Sequence, residues 1–369
     1  MILERTAAVK ARGKQLGFAH IGVAPATTLT DDYAHYESFV DTNMHGSMQY
    51  LAQNREARRT LWTDHVLNNA QSIVVCAVNY RTAEPDDAGF VDGRIARYAR
   101  GADYHNFVRR KLRKLAAFIR QEFGGSARPM IDTAPVLERA WARRAGVGFV
   151  GKNGMLIVPG LGSYVLLGEV VTTTQLAADL PMESRCGQCT LCLSACPTAA
   201  FAKPYVLDAR KCIAYLTIES AEAPPVALRS GIGDRVFGCD HCQDVCPYNH
   251  GAAAQRVSEF AQFALLDRFR TASVDALLTL TQSECEQLVA STPLSRPGPD
   301  GLARNAAIVL GNKGSKRHLP VLSAAAAQHA SAVVRECAQW AIEQITIRDK
   351  SQHNSGLLPL DSTERSPTE

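Results

Sequence analysis

The sequence predicts an α+β multidomain chain, and three observations along its 369 residues carry that expectation. Residues 1–178 alternate short β-branched runs with helical patterns, as an α/β unit does. Residues 179–255 hold eight of the 11 cysteines among prolines and glycines, and residues 256–347 are Ala/Leu-rich with helical spacing. Residues 348–369 are polar and expected to be disordered. A 46% hydrophobic and 21% charged composition is that of a chain with a real core. No stretch reaches the roughly 18 apolar residues of a membrane helix. The first residues lack the apolar segment of a signal peptide, so a cytoplasmic protein is expected.

In order, a helix over 4–16 leads into a strand over 19–24. Residues 72–79 (SIVVCAVN) are apolar throughout, the mark of a strand covered on both faces. Apolar residues at helical spacing (Phe107, Leu112, Leu115, Phe118, Ile119) predict a helix over 106–123. A short strand over 129–131 then ends at Asp132, a helix covers 135–145, and strands follow at 155–158 and 164–172. In the last third, Arg304-Asn-Ala-Ala-Ile-Val-Leu returns 31 residues later as Arg335-Glu-Cys-Ala-Gln-Trp-Ala, which predicts a short HEAT-like helical repeat.

The cysteines carry the most specific signal. Cys186-x2-Cys189-x2-Cys192-x3-Cys196-Pro197 has the bacterial ferredoxin spacing, in which three thiolates bind one [4Fe–4S] cluster and the fourth binds another. The second run, Cys239-x2-Cys242-x3-Cys246-Pro247, has Val236 where its leading cysteine would stand, and Cys212 is the other cysteine nearby. The ligand sets close if Cys186, Cys189, Cys192 and Cys246 hold one cluster and Cys196, Cys212, Cys239 and Cys242 the second. Paired zinc sites are the alternative; the spacing before each proline favours clusters. Cys76, Cys285 and Cys337 read as small core residues.

Asp132 ends a strand before a helix, in apolar company that should raise its pKa and leave it a proton donor. A helix cap is its plainer role, and Glu138 is the alternative donor. Gly146-x4-Gly151-Lys152-Asn153 falls short of a phosphate loop, because a helix precedes it and a strand follows. Asp103-x-His105 begins like the signature of proteins that ligate cobalt through histidine, but Val108 replaces its glycine, so His105 is read as structural or phosphate-contacting. Net charge is only +4, yet eight Lys/Arg between Arg94 and Lys114 face one acid, Asp103. Such a run suits a solvated helix face or a phosphate-backbone contact.

Several segments together resemble the epoxyqueuosine reductase family, across about residues 4–345. They are His45-Gly-Ser-Met48-Gln-Tyr50-Leu51, Arg97-Tyr-Ala-Arg-Gly-Ala-Asp-Tyr-His105, Asp132-Thr-Ala-Pro-Val-Leu-Glu-Arg139, Ala145 to Asn153, both cysteine runs, and Asp208 to Glu219. Departures are Gly154 after Lys-Asn, and His241 inside the second cysteine run. The resemblance implies an α/β cobalamin-binding domain, a ferredoxin-like bis-[4Fe–4S] domain and C-terminal HEAT-like helices. It implies reduction of epoxyqueuosine to queuosine at the tRNA wobble position by cob(I)alamin, fed with electrons from two [4Fe–4S] clusters. Cobalamin would be base-off with no protein axial ligand, and the electrons would come from a donor of ferredoxin or flavodoxin type. A monomer without membrane association is expected.

The same resemblance puts the proton donor at Asp132. It implies cobalamin contacts at Arg58, Tyr98, Asp132, Asn153, Leu156, Ser163, Tyr215, Asp240 and His241, and tRNA contacts at Arg109, Arg110, Lys114 and Arg304. Two other readings stay open on the residues alone. A reductive dehalogenase-like enzyme also pairs cobalamin with clusters, and activity on tRNA would separate the two. A plain electron carrier would show no cobalamin absorption bands.

Overall fold

A computed structural model describes residues 1–251 and 255–355, with side chains to residue 351. A four-stranded sheet organises the first unit, in the order His20–Pro25, Ser72–Asn79, Val165–Thr172, Ala127–Met130. Every neighbouring pair in it is antiparallel. The expected α/β unit is therefore corrected to α+β. An all-apolar strand reports only that both faces are covered, and it reads alike in parallel and antiparallel sheets.

The alternation along Ser72–Asn79 shows the two coverings. Val74, Cys76 and Val78 pack with Val108, Leu112, Leu115 and Ile119 of the helix Tyr104–Phe123, beside Val9 of the first helix Ile2–Gln15. Ile73, Val75 and Ala77 face the other way, toward Trp141 and Ala142 of the helix Glu138–Arg144. Gly168 lets the long helix sit close, because a Cβ there would lie 2.6 Å from a methyl of Leu112. On that strand Glu169 takes the opposite face, paired in register with Val75 and Met130.

The cysteine segment is less separate than its composition suggests. Strand Arg235–Phe237 pairs in parallel with Gly93–Ile95, which pairs with Gly89–Phe90. Ile213, Leu216, Ile232, Val236 and Phe237 share one apolar core with Phe90, Ile95 and the C-terminal helices. The cysteines themselves lie on loops and two short helices, Leu191–Ser194 and His241–Asp244. Helices Gly298–Lys313, Leu319–Gln328 and Ala332–Ser355 close the chain, packed chiefly on one another. The last of these runs past Arg348, so the first part of the expected tail is helical; residues 356–369 lie outside the described residues. Cys76, Cys285 and Cys337 are buried core residues.

Candidate active site

Asp132 follows the edge strand Ala127–Met130 with φ +27°, a left-handed turn that a short polar residue tolerates. Its carboxylate stands on two groups from the start of the helix Tyr104–Phe123. His105 Nε2 lies 3.0 Å from Oδ2, and Tyr104 donates its hydroxyl to the same oxygen at 3.1 Å. The other ring nitrogen, Nδ1, meets Asp103 Oδ1 at 2.7 Å, and that oxygen also accepts the His105 backbone N–H as a helix cap. Hydrogen bonds to Asp103 and then Asp132 raise the His105 pKa to about 9.

The Asp132 pKa moves the other way. The His105 hydrogen bond holds it below the ordinary carboxylate value, against the upward push of burial. The expected raised pKa is thus corrected: apolar neighbours in sequence matter less than a protonated imidazole in contact. The side chain is 56% exposed, open toward a ligand.

Beneath it, the Asp132 backbone N–H donates to Glu138 Oε1 at 2.7 Å. Burial, then the charge of Asp132, push the Glu138 pKa up to about 7. Glu138 forms no ion pair with Arg139 or Arg143. Arg143 instead pairs with Asp32 at 2.9 Å, and Arg139 donates to the Gly154 carbonyl. Around the mouth, Arg296 pairs with Glu219 at 3.0 Å and lies 5.7 Å over the Tyr50 ring. Tyr98 stands edge-on to Tyr104. Tyr215 donates or accepts at Ser47 Oγ, 2.8 Å away, and comes so close to Gly46 (φ +60°) that a Cβ there would overlap its hydroxyl.

The thiols fall into two groups. Burial pushes the Cys192 thiol up, and the charges of nearby Cys186, Cys246 and Cys189 add to that. Burial likewise raises Cys242, with Cys239 and Cys212 next, and Cys196 bears on Cys212. Cys192 also reaches Cys242, which puts the groups side by side. The Asn153 side-chain amide donates to the Cys242 carbonyl at 3.1 Å, and Lys152 donates to the carbonyls of Gly187 and Cys189, so the glycine loop braces both groups. Backbone N–H groups point at sulfur as well, Ala200 N lying 3.3 Å from Cys196 Sγ. A donor set of four soft thiolates per group fits iron–sulfur clusters.

Not every expected ligand contact is brought to the cleft. Arg58 is buried, bound to the carbonyls of Gln53 and Tyr50. Leu156 is buried in the apolar core, and Ser163 is bonded to Asn249 and Gln243. These three side chains are committed to the protein, which corrects their expected cobalamin contacts. Asn153 and Asp240 are buried too and tie loops together, Asp240 accepting from Arg97 N at 2.8 Å. His241 lies against Arg235.

Arg304 is corrected as an RNA contact. It is 1% exposed and donates to the carbonyls of Leu216, Ser220 and Glu222. In the basic run, Arg97 is buried against Asp86 and Asp244, Arg100 caps the carbonyls of Ile95, Pro85 and Asp86, and Arg94 pairs with Asp234. Arg110, Arg113 and Lys114 are exposed and Arg109 is half-buried. His105 is more central to the site than its sequence context suggests; its marks were the start of a cobalt-ligand signature and a place in the family-like segment 97–105, which Tyr104 shares. Arg296 carried no signal that distinguished it.

The model of the family "Epoxyqueuosine reductase QueG, DUF1730" matches residues 62–133, and that of the "4Fe-4S double cluster binding domain" matches residues 185–249. An epoxyqueuosine reductase from Pseudomonas aeruginosa is 37% identical over 344 residues, covering 91% of this chain and 93% of its own length. The chain belongs to the epoxyqueuosine reductase family.

Among solved structures of that family, an epoxyqueuosine reductase with a tRNA-Tyr epoxyqueuosine-modified tRNA stem loop is 29% identical. It superposes with a TM-score of 0.85 over 97% of this chain and 95% of that one. The Bacillus subtilis epoxyqueuosine reductase, described with an aspartate-bearing catalytic loop swung out of the active site, is 28% identical with a TM-score of 0.83 over 97% and 95%. The family match brings with it the 4Fe-4S double-cluster domain and a mixed helix–strand fold. Among the described residues no helix is long and apolar enough to cross a membrane.

Proposed function

We propose that this chain reduces epoxyqueuosine to queuosine at the wobble position of tRNA, with electrons from two [4Fe–4S] clusters and with cobalamin bound base-off. Family membership supports the substrate. One observation supports the chemistry: an open carboxylate, Asp132, is wired to a histidine that keeps its proton at neutral pH, beside a loop braced on cysteine groups. An electron carrier has no use for such a network.

Cys186, Cys189, Cys192 and Cys246 would hold one cluster, and Cys196, Cys212, Cys239 and Cys242 the other. Cobalamin would lie between Asp132 and the second cysteine group. Both ring nitrogens of His105 are occupied by carboxylates, in keeping with a corrinoid that takes no axial ligand there. Gly154 (φ +74°) leaves backbone open on that side, where an added Cβ would meet nothing closer than an Arg139 nitrogen at 3.7 Å. Tyr98, Tyr215 and His241 would border the group, with Asn153 and Asp240 holding the loops. Bound cobalamin supplies the strongly reducing cobalt needed to open an epoxide. Asp132, ionised at rest, would take the proton that His105 holds and pass it to the departing oxygen. Tyr104 holds Asp132 in place for that transfer.

The domain reading that goes with this is 1–178 for cobalamin and catalysis, 179–255 for the clusters and 256–347 for HEAT-like helices beside the RNA. Arg109, Arg110 and Lys114 would contact RNA phosphates. A monomer in the cytoplasm, fed by a low-potential donor, completes the picture. The test is direct: protein reconstituted with iron, sulfide and cobalamin, given a strong reductant and tRNA bearing epoxyqueuosine, should remove one oxygen from the wobble nucleoside by mass spectrometry. An unchanged nucleoside with both cofactors loaded would refute the reading.

A further inference from the structure

The Val165–Thr172 strand lies between two others, and a carboxyl interrupts its apolar faces. Glu169 is 0% exposed, and neither carboxyl oxygen has a hydrogen-bond donor. Its cross-strand neighbours are Val75 and Met130. A carboxylate in such a place, with no protein donor, is strongly disfavoured. The group it faces is the carboxyl of Glu138, and those two can hydrogen-bond only if a proton sits between them. Burial, then the charges of Glu138 and Asp132, hold the Glu169 pKa well up. Glu138 in turn accepts from the backbone of Asp132. Three carboxyls thus descend from the cleft into the sheet.

We propose that Glu138 and Glu169 share a proton beneath Asp132 and reload it, supplying the second of the two protons that the reaction consumes. This rests on the reading of the chain as an epoxide reductase. Converting an epoxide to an alkene breaks two C–O bonds, takes two electrons from the low-potential donor by way of the clusters, and takes two protons to release water. His105 can return one proton to Asp132. The second is drawn from another store. Glu138 is that store's outlet and Glu169 its buried half. Glu169 touches no reacting atom; it is a positioning residue that keeps Glu138 protonated.

The other charged groups facing the pair are few. Asp132 and, behind it, His105 come from above; Arg139 lies on the helix of Glu138; Cys76 on the neighbouring strand is close to Glu169. The His105 and Arg139 charges favour an ionised Glu138, whereas Asp132 opposes it.

Two measurements test the pair. Infrared difference spectra of wild type against Glu169→Gln, recorded without substrate, should show the C=O stretch of a protonated carboxyl at neutral pH. Its absence overturns the shared proton whatever the enzyme's activity proves to be. In turnover on epoxyqueuosine tRNA, Glu169→Gln should lower kcat about tenfold or more with KM unchanged, in the range of a lost proton-transfer step. The alkaline limb of kcat, near the Glu138 pKa of about 7, should move to lower pH. Glu138→Gln should cost a similar factor and the double variant no more, as for residues acting as one unit. Glu169→Leu should raise thermal stability while lowering kcat, because it removes a buried polar group; a merely structural Glu169 gives the opposite. Wild-type kcat and pH profile in Glu169→Gln would end the proposal and leave the epoxide reductase reading intact. A wild type that does not act on this tRNA would instead end that reading.

Discussion

Asp132 carries its charge because two donors of another element hold it. His105 and Tyr104 start the helix Tyr104–Phe123 and meet the carboxylate from 27 and 28 residues away. Asp132→Asn should keep both clusters and tRNA affinity and lose epoxide reduction by on the order of 10²-fold, the range of a missing general acid. Turnover near wild type in that variant, with Glu138→Gln inactive, would transfer the role to Glu138. The histidine has its own signature. His105 is raised to about 9 by Asp103 and Asp132, so its ion pairs stabilise the fold fully below its unfolded value of about 6.5. That contribution is lost as pH rises through about 9. NMR titration of the ring should follow this course, and in Asp132→Asn the midpoint should fall. The position of Asp132 at a strand end was legible in the sequence. Its ionisation was not, since adjacent residues say nothing of a histidine that only the fold brings near.

At the scale of the element, the helix Tyr104–Phe123 shows what periodicity carries and what it omits. Of the apolar residues that predict it, Leu112, Leu115 and Ile119 lie on the buried face beside Val108 and Ala116, whereas Phe107 and Phe118 are half-buried. The eight cations around it looked like one basic surface, but Arg94, Arg97 and Arg100 turn inward to carboxylates and carbonyls, and Lys111 caps the Leu16 carbonyl. Those partners are remote in sequence, so composition could not sort the cations. What remains exposed is Arg110, Arg113 and Lys114. Neutralising Arg110 and Lys114 should weaken tRNA binding and flatten its salt dependence by about one unit of slope for each phosphate no longer neutralised. An unaltered slope would remove this face from the interface. Arg304→Ala should behave differently. It strips donors from the buried carbonyl of Leu216 and the part-buried ones of Ser220 and Glu222, costs on the order of 3 kcal/mol of stability, and leaves the salt slope alone.

Across the whole molecule, the cysteine spacing was legible because cluster ligation demands it locally, whereas the packing between segments was not. The segment 213–237 packs into the C-terminal helical core, and strand Gly93–Ile95 crosses from the first unit to pair with Arg235–Phe237. Nothing local in the sequence records such a crossing, so the cluster unit looked self-contained. The packing has a consequence for the metal sites. Cys212 caps the short helix Ile213–Ile218, whose Ile213 and Leu216 are core residues, so its position is set by apolar packing rather than by a cluster. Losing its thiol should therefore leave the fold standing and remove one ligand from one group. Cys212→Ala is expected to retain about four irons per chain where wild type holds about eight, with the remaining cluster bound by Cys186, Cys189, Cys192 and Cys246. Cys285→Ala, a buried residue remote from both groups, should leave the iron content unchanged. Iron analysis and electron paramagnetic resonance of the reduced variants would decide it. Two intact clusters in Cys212→Ala would overturn the crossed ligand sets, because the second group would then have to close without the one of its four cysteines that lies outside both ferredoxin runs.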